Sequence, residues 1–280
     1  MGALLHVDNL HVSFKSPKET VDAVRGISFS MGREKLGIVG ESGSGKSVTC
    51  RALLGLIRPP GIVRYDRIRF DRADLDPADP RRMQAIRGRR IAMVMQDPKY
   101  SLNPVMTVGR QIAEACRIHH RAGRQAARRK ALEMLAAVRI HRPERVYEAY
   151  PHQVSGGMGQ RIMIAMMLIA DPDLLIADEP TSALDVTVRR QLLAIMDDLV
   201  QARRMGLIFI SHDLNLVARF CDRIIIMYAG RIMETCAATD LHQARHPYTR
   251  GLLNCLPQID KPAAELPVLQ RDPAWRDDQP

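Results

Sequence analysis

The sequence predicts an α/β fold organised around a mainly parallel sheet, and three observations lead there. Short apolar runs alternate with segments whose apolar residues recur at helical spacing, the pattern of strands joined by crossover helices. A glycine-rich loop at residues 40–47 stands between one such run and one such helix. A further run, 174–178, ends abruptly in two neighbouring acids, Asp178 and Glu179. Apolar residues make up 46% of the 280, enough for a large core, and aromatics only 4%, so that core rests on Leu, Ile, Val, Ala and Met.

Taken in order, residues 5–14 alternate apolar and polar side chains and read as a half-buried strand, with a second strand at 23–30. Residues 35–39 form a short apolar run that stops at Gly40. Val48, Leu53, Leu54, Leu56 and Ile57 give helical spacing over 46–57, and Pro59, Pro60 and Gly61 end that helix. Another buried strand fits 91–95. From 97 to about 165 the chain is rich in Arg and Ala at helical spacing, with 125–138 a clear amphipathic helix, so a helical subdomain is expected there, inserted in the α/β core. Strands return at 174–178, 207–211 and 223–227. Residues 1–255 thus read as a single domain, and 256–280, rich in Pro, Asp and Arg, as a loose extension.

Composition removes several function classes. No apolar run approaches the ~18 residues that span a bilayer, and the N-terminus lacks the basic start, apolar stretch and small-residue site of a signal peptide, so a membrane role is expected to be peripheral. Cys50, Cys116, Cys221, Cys236 and Cys255 are scattered, with no close pair to hold zinc or to form a redox couple; free thiols of a reducing cytosol are expected. The net charge of +10 includes Arg121, Arg124, Arg128, Arg129 and Lys130. No aromatics interleave with these to stack on bases, which favours a solvated helix face over a nucleic-acid surface.

The residues Gly40, Glu41, Ser42, Gly43, Ser44, Gly45, Lys46 and Ser47 fit G-x-x-x-x-G-K-[ST], after an apolar run and before a helix. Nucleotide phosphates carry several negative charges, and backbone N–H groups surround them only if the loop curls tightly, which needs glycine. The helix N-terminus adds partial positive charge. Lys46 has the reach for the β- and γ-phosphates, and the Ser47 hydroxyl is a ligand for Mg²⁺. A plain glycine turn into a helix is the alternative, and the four filled positions weigh against it. The loop alone specifies only a nucleoside triphosphate.

Asp178 and Glu179 end an apolar strand, and side chains alternate along a strand, so one carboxylate can face a metal while the next faces the γ-phosphate. Asp178 suits holding Mg²⁺, directly or through water, and Glu179 suits activating the attacking water. An acidic capping turn at Asp178, Glu179 and Pro180 is the competing reading, weakened by the phosphate loop upstream.

Ser155, Gly156, Gly157, Met158, Gly159, Gln160 and Arg161, led in by Tyr150, Pro151, His152, Gln153 and Val154, resemble the LSGGQ signature of ABC ATPases and its YPHQL approach. The resemblance implies a P-loop NTPase (RecA-like) core with an N-terminal antiparallel β subdomain and a helical subdomain. In that family Ser155, Gly156, Gly157 and Gln160 would serve ATP held by the opposite subunit, so one chain carries two half-sites. Phe14 stands where an aromatic ring stacks on adenine, although a core aromatic also fits it. Gln96 matches the glutamine that contacts Mg²⁺ and water and links to the membrane partner. Ser182, Ala183, Leu184 and Asp185 match the D-loop, and His212 the switch histidine near the γ-phosphate. Two positions depart from the pattern: Val154 replaces the usual Leu, and Gly159 puts a glycine inside the signature helix, at about 1 kcal/mol relative to alanine.

Residues 96–104, read as Gln-Asp-Pro-Lys-Tyr-Ser-Leu-Asn-Pro, resemble the QDPxxSLNP loop of dipeptide, oligopeptide and nickel importer ATPases, and His246 to Leu253 resemble their HPYTRxLL element. Val48, Thr49, Cys50, Gly157 and Met158 lean toward the D-type subunit. Many D-type subunits carry a C-terminal cysteine-rich segment; none follows Cys255, so no iron–sulfur cluster is expected. The resemblance implies ATP and Mg²⁺ as cofactors and uptake of peptides, nickel or a metal chelate as the driven process. It implies two membrane permeases, a second ABC ATPase in a heterodimer, an extracytoplasmic substrate-binding protein, and a place on the cytoplasmic face of a bacterial inner membrane. A soluble ABC ATPase acting on DNA or ribosomes is the rival, and the single motif set without sustained heptads speaks against it.

Overall fold

The computed structural model describes residues 2–95, 101–182, 184–255, 269 and 272–276. It forms two compact units, one of residues 1–78 and 209–280, the other of residues 79–208. Gln96, Ala183 and most of 256–280 lie outside the described residues.

The first unit opens with an antiparallel sheet. β1 (Leu5–Lys15) pairs with β2 (Thr20–Met31) on one side and with β4 (Gly61–Arg64) and β5 (Arg67–Phe70) on the other, and β6 (Ala73–Asp74) closes a short hairpin with β5. Alternation along β1 buries Leu5 and Val7, and after an irregularity that includes the left-handed Asn9 (φ 50°) it resumes one residue out of phase and buries Leu10 and Val12. An antiparallel β layer at the N-terminus was expected; β4, β5 and β6 were not read individually, because strands of two to four residues carry too little alternation.

The same unit holds β3 (Lys35–Val39), which runs parallel to β10 (Arg223–Tyr228), and β10 turns back into β11 (Arg231–Ala237). The two turn residues, Ala229 (φ 46°) and Gly230 (φ 83°), both take left-handed conformations, as a tight type I′ hairpin requires. Two helices flank these strands. α1 (Lys46–Leu53) follows β3, and a second lies before β10, at Leu214–Phe220.

α1 ends four residues earlier than the spacing of 46–57 implies. Gly55 (φ 59°) takes the left-handed position, its N–H donates to Ala52 O at 2.9 Å, and the Leu56 N–H donates to Arg51 O at 2.9 Å. That double closure is a Schellman stop, and the prolines further on do not set the boundary. Beyond β3, the Leu214–Phe220 helix approaches so closely that a Cβ on Gly37 would lie 2.1 Å from Val217 Cγ1 and 3.2 Å from Cys221 Sγ.

The second unit is mostly helical. α2 (Pro80–Ile86) is capped by Asp79, whose carboxylate accepts from the N–H of Arg81 and Arg82. β7 (Ile91–Val94) runs parallel to β8 (Leu174–Asp178), and Arg90 clamps the start of the pair: its Nε donates to Asp173 at 2.5 Å and its carbonyl accepts from the N–H of Asp173 and Leu174. Between these strands come α3 (Val108–His120), α4 (Arg124–Ala137), α5 (Pro143–Tyr147) and α6 (Gly156–Leu168). α3 lies hard against α5, since a Cβ on Gly109 would sit 2.0 Å from the Tyr147 ring. α4 matches the amphipathic stretch at 125–138 to within one residue at each end. α7 (Val186–Arg203) then leads into β9 (Gly206–Ser211), a fully buried strand that crosses from this unit into the first, where α8 (Leu214–Phe220) and α9 (Pro247–Asn254) complete the described helices. No helix among the described residues is long and apolar enough to cross a membrane.

All five cysteines are free thiols. Burial pushes the Cys221 thiol up to about 12. At pH 8 a small alkylating reagent should therefore leave Cys221 unmodified in the folded chain and label it once the chain is unfolded in denaturant. Mass mapping of alkylated peptides checks this; rapid native labelling of Cys221 would contradict its packing over Gly37.

Candidate functional site

Within the first unit the phosphate loop is held from three directions. At its start, Gly40 lies so near β10 that a Cβ there would meet Met227 O at 2.1 Å and Ser44 Oγ at 2.7 Å. At its end, Gly45 (φ 98°) caps α1, and a Cβ there would meet Ala23 O of β2 at 2.4 Å. In the middle, the Gly230 N–H of the β10–β11 turn donates to Ser44 O at 3.1 Å. Thr49 locks the first turn of α1, both its N–H and its hydroxyl donating to Gly45 O, at 2.8 and 2.9 Å.

Lys46 is 6% exposed and its ammonium lies inside the loop. Nζ donates to Gly40 O at 2.8 Å, to Glu41 O at 2.7 Å and to Ser44 Oγ at 3.2 Å. A buried ammonium needs this set of oxygens, and the loop supplies them from its own backbone. Ser47 is half-buried one residue on, while Ser42 and Gly43 are exposed. Beside the loop an open groove of about 630 Å³ is lined by Val21, Ala23, Arg25, Glu41, Ser44 and Tyr228, among others. Phe14 is half-buried near the end of β1, paired with Val21 on one side and Gly61 on the other. His212 is exposed just after β9, and Asp213 beside it caps α8 by accepting from the Leu216 N–H at 3.0 Å.

The second unit carries the acidic strand end and the signature. Asp178 is 3% exposed at the last position of β8. Glu179 is half-buried and takes φ 47°, a left-handed conformation uncommon for a residue with a side chain. The turn that follows holds it there: the Ser182 N–H and hydroxyl donate to Glu179 O at 3.3 and 3.1 Å. Sequence reasoning found Glu179 but not this backbone, which sets the direction of its side chain relative to Asp178.

Ser155 caps α6, accepting from the Met158 N–H at 3.3 Å. Gly156 borders open space, whereas Gly157 is required by packing, since a Cβ there would lie 2.7 Å from Val188 Cγ1 of α7. Gln160 is 2% exposed, and its Nε2 donates to Pro180 O at 2.6 Å. The signature helix is thereby tied to the turn that carries Glu179. α6 continues unbroken through the buried Gly159. Asp185 caps α7, accepting from the Val188 N–H at 2.9 Å. The Gln153 side chain accepts from the Tyr150 N–H at 2.9 Å and closes the lead-in.

Two residues of consequence carried no assigned role in the sequence. Gln111 of α3, 6% exposed, accepts from the Asn103 N–H and donates to Asn103 O and Met106 O, fixing the turn at 103–106. Tyr248 is fully buried, and its hydroxyl accepts from the Glu41 N–H at 3.4 Å. A lone polar residue inside a helical pattern gives no signal for Gln111; Tyr248 stands within the HPYTR element, whose purpose the sequence alone does not show.

A strand–loop–helix phosphate cradle in one unit, with a carboxylate-ended strand and a capped glycine signature in the other, defines an ATPase cassette of the P-loop class. The model of the family described as ABC transporter matches residues 24–182. The chain belongs to the ABC transporter family. It is 47% identical over 265 residues to the oligopeptide transport ATP-binding protein OppD of Bacillus subtilis, covering 94% of this chain and 74% of that protein. It is 46% identical over 276 residues to the dipeptide transport ATP-binding protein DppD of the same organism, covering 98% of this chain and 82% of that protein. Among solved structures it resembles an ATP-binding cassette in a dimeric post-hydrolysis state bound to ADP and phosphate, with a TM-score of 0.74, 26% identity, and coverage of 84% of this chain and 98% of that one.

The close approaches at the loop predict unequal costs for two alanine substitutions. Gly43 (φ 82°) has nothing within 4 Å of an added Cβ, so Gly43→Ala should carry only the left-handed strain, about 1–2 kcal/mol. Gly40→Ala carries no left-handed strain but drives a methyl to within 2.1 Å of Met227 O, a backbone atom that cannot move aside cheaply, and should lower the melting temperature further. Equal shifts in thermal denaturation would contradict the contact with β10.

Proposed function

We infer that the chain binds ATP and hydrolyses it to drive import of peptides through a membrane permease. The observation that carries this reading is the loop at 40–47, curled around a buried Lys46 with backbone N–H groups at the head of α1. The transport ATP-binding proteins OppD and DppD, similar along more than nine-tenths of the chain, support the importer reading over a soluble ATPase acting on DNA or ribosomes.

In this reading Lys46 and the N–H groups of Gly43, Ser44 and Gly45 bind the phosphates, and Phe14 stacks on adenine. The Ser47 hydroxyl, the Asp178 carboxylate and the Gln96 side chain carry the oxygen donors a hard cation takes, and each would be a ligand of Mg²⁺ bound with the nucleotide. When bound, the ion would neutralise phosphate charge that develops as the terminal bond breaks. Glu179 accepts a proton from the attacking water, and His212 steadies the γ-phosphate. Ser155, Gly156 and Gly157 serve the nucleotide of a second ATPase, and Gln160 holds the signature helix for that task. Asp185 caps α7 beside the same dimer face.

Two permeases, a second ABC ATPase in a heterodimer and an extracytoplasmic binding protein complete the assembly, with this chain peripheral on the cytoplasmic face of the inner membrane. Peptides are the cargo favoured by the similar proteins. The loop at 96–104 resembles that of nickel importers equally, so a nickel or metal-chelate cargo would be chosen by the binding protein and permeases.

Glu179→Gln tests the catalytic assignment. The amide keeps the size of the carboxylate but neither its basicity nor its charge, so ATP binding should persist while single-turnover cleavage in the assembled transporter slows by about 10²–10⁴-fold. The partner ATPase's equivalent glutamate is changed as well, to silence the second site. Cleavage near the wild-type rate would remove Glu179 from the chemistry.

Ser155→Arg separates the two half-sites. The isolated chain should bind ATP as the unaltered chain does, while the assembled transporter loses hydrolysis. Loss of binding in the isolated chain would show that Ser155 serves its own nucleotide.

A further inference from the structure

We propose that the C-terminal turn around Trp275 is a strap that holds the phosphate loop in its binding conformation through Tyr248, so that strap docking and nucleotide binding are coupled. The inference rests on the reading of residues 40–47 as the nucleotide loop, and every residue that carries it lies in the first unit.

Tyr248 is set in place by the strand before it. The Glu234 carboxylate of β11 accepts from the backbone N–H of Arg245 at 2.7 Å and of His246 at 3.3 Å. His246 Nδ1 then accepts from the Tyr248 N–H at 3.0 Å, capping α9. With its start fixed in this way, α9 buries the Tyr248 ring completely and points its hydroxyl at the Glu41 N–H, 3.4 Å away. The far side of the loop is held by the β10–β11 turn through Gly230 and Ser44. Tyr228 immediately precedes that turn, and its ring lies 4.6 Å from the Tyr248 ring. The two holds on the loop therefore meet at one pair of tyrosines.

Trp275 closes the other side of that pair. Its turn, Pro273–Arg276, is started by Asp272, which accepts from the Ala274 and Trp275 N–H groups. The indole meets Tyr228 edge-on at 6.4 Å, Tyr248 at 5.9 Å and His246 at 6.2 Å, the crossed arrangements that aromatic rings favour. Leu269 packs on α9, where a Cβ on Gly251 would lie 2.2 Å from Leu269 Cδ1. Trp275 itself is half-buried. The indole thus braces rings that are otherwise deep, from a position where it can leave without unfolding the sheet. The hydrogen bond from Glu41 to Tyr248 is long, and such a bond responds to small shifts of the ring. Whatever free energy a docked Trp275 adds to the loop's binding conformation, nucleotide must return to the docking of Trp275, because coupling between two equilibria is reciprocal.

Trp275 is the only tryptophan in the chain, so its emission reports the strap directly. The full-length chain is titrated with ATP and Mg²⁺ while Trp emission is followed, and affinity is measured independently by calorimetry for the unaltered chain, Trp275→Ala, Trp275→Phe and Tyr248→Phe. The expected results are a blue shift on saturation, Kd weakened at least about fivefold in Trp275→Ala, the lower end for coupled sites, and recovery in Trp275→Phe, which restores a ring. In Tyr248→Phe the packing ring remains and the acceptor is lost, so the blue shift should vanish and Kd should weaken. In the assembled transporter Trp275→Ala should raise KM for ATP and leave kcat in place, a split that general destabilisation does not produce. Unaltered affinity in Trp275→Ala overturns the strap, as does a normal emission response and Kd in Tyr248→Phe. Absence of ATP binding by the unaltered chain would overturn the nucleotide reading itself, and the strap with it.

Discussion

A buried ammonium organises the first unit. Lys46 is withdrawn from solvent, and a cation in that position is tolerated only when oxygens surround it. The loop provides two carbonyls and a hydroxyl, and to bring those oxygens onto one ammonium it must curl tightly. Gly40 and Gly45 are what that curl demands, since a methyl at either position would collide with a backbone carbonyl of β10 or β2. The parallel pairing of β3 with β10 brings the Met227 carbonyl close to Gly40.

The second unit solves a different problem by a similar route. A strand that ends in Asp178 and Glu179 has two carboxylates to direct, and the left-handed backbone at Glu179 turns the chain sharply between them. Such a conformation in a residue with a side chain carries strain and persists where surroundings enforce it. Here the enforcers are the Ser182 turn and the Gln160 amide on Pro180 O. Gln160 also explains how the signature helix and the acidic turn keep a fixed relation: a single buried hydrogen bond joins α6 to the chain just past β8. The glutamine of the signature is in this sense a spacer between two functional segments, and Gly157 sets the second spacing by admitting Val188 of α7.

Much of this was legible in the sequence because the governing interactions are local. The glycine-rich loop at 40–47 and the carboxylate pair at 178–179 stand out by residue type and spacing, whereas the capping roles of Ser155, Asp185 and Asp213 came only with the structure. The strands at 35–39 and 174–178 came out at their full length, since fully buried strands are continuous apolar runs bounded by glycine or acid. The end of α1 was misplaced because the prolines at 59 and 60 looked like the stop, when Gly55 already supplied the left-handed residue that a Schellman closure uses. The strands from Gly61 to Asp74 escaped because pairing to β1, rather than their own pattern, makes them strands. Gln111 and Tyr248 escaped for the same reason, as their partners lie far along the chain or in irregular backbone.

That division between local and distant causes bears on what the phosphate motif means. Eight consecutive residues name the chemistry, but none of the contacts that close the loop from outside comes from within those eight. Met227 O limits one end and Ala23 O the other, the Tyr248 hydroxyl holds Glu41 and the Gly230 N–H holds Ser44. These groups sit on β10, β2, the β10–β11 turn and α9, separated from the loop by between about twenty and two hundred residues of sequence. A loop with the same eight residues on another scaffold would keep its glycines and lose the surfaces that make those glycines necessary. The motif is thus a local record of a long-range packing arrangement, and substitutions on β10 or α9 can change nucleotide affinity while leaving every residue of the motif in place.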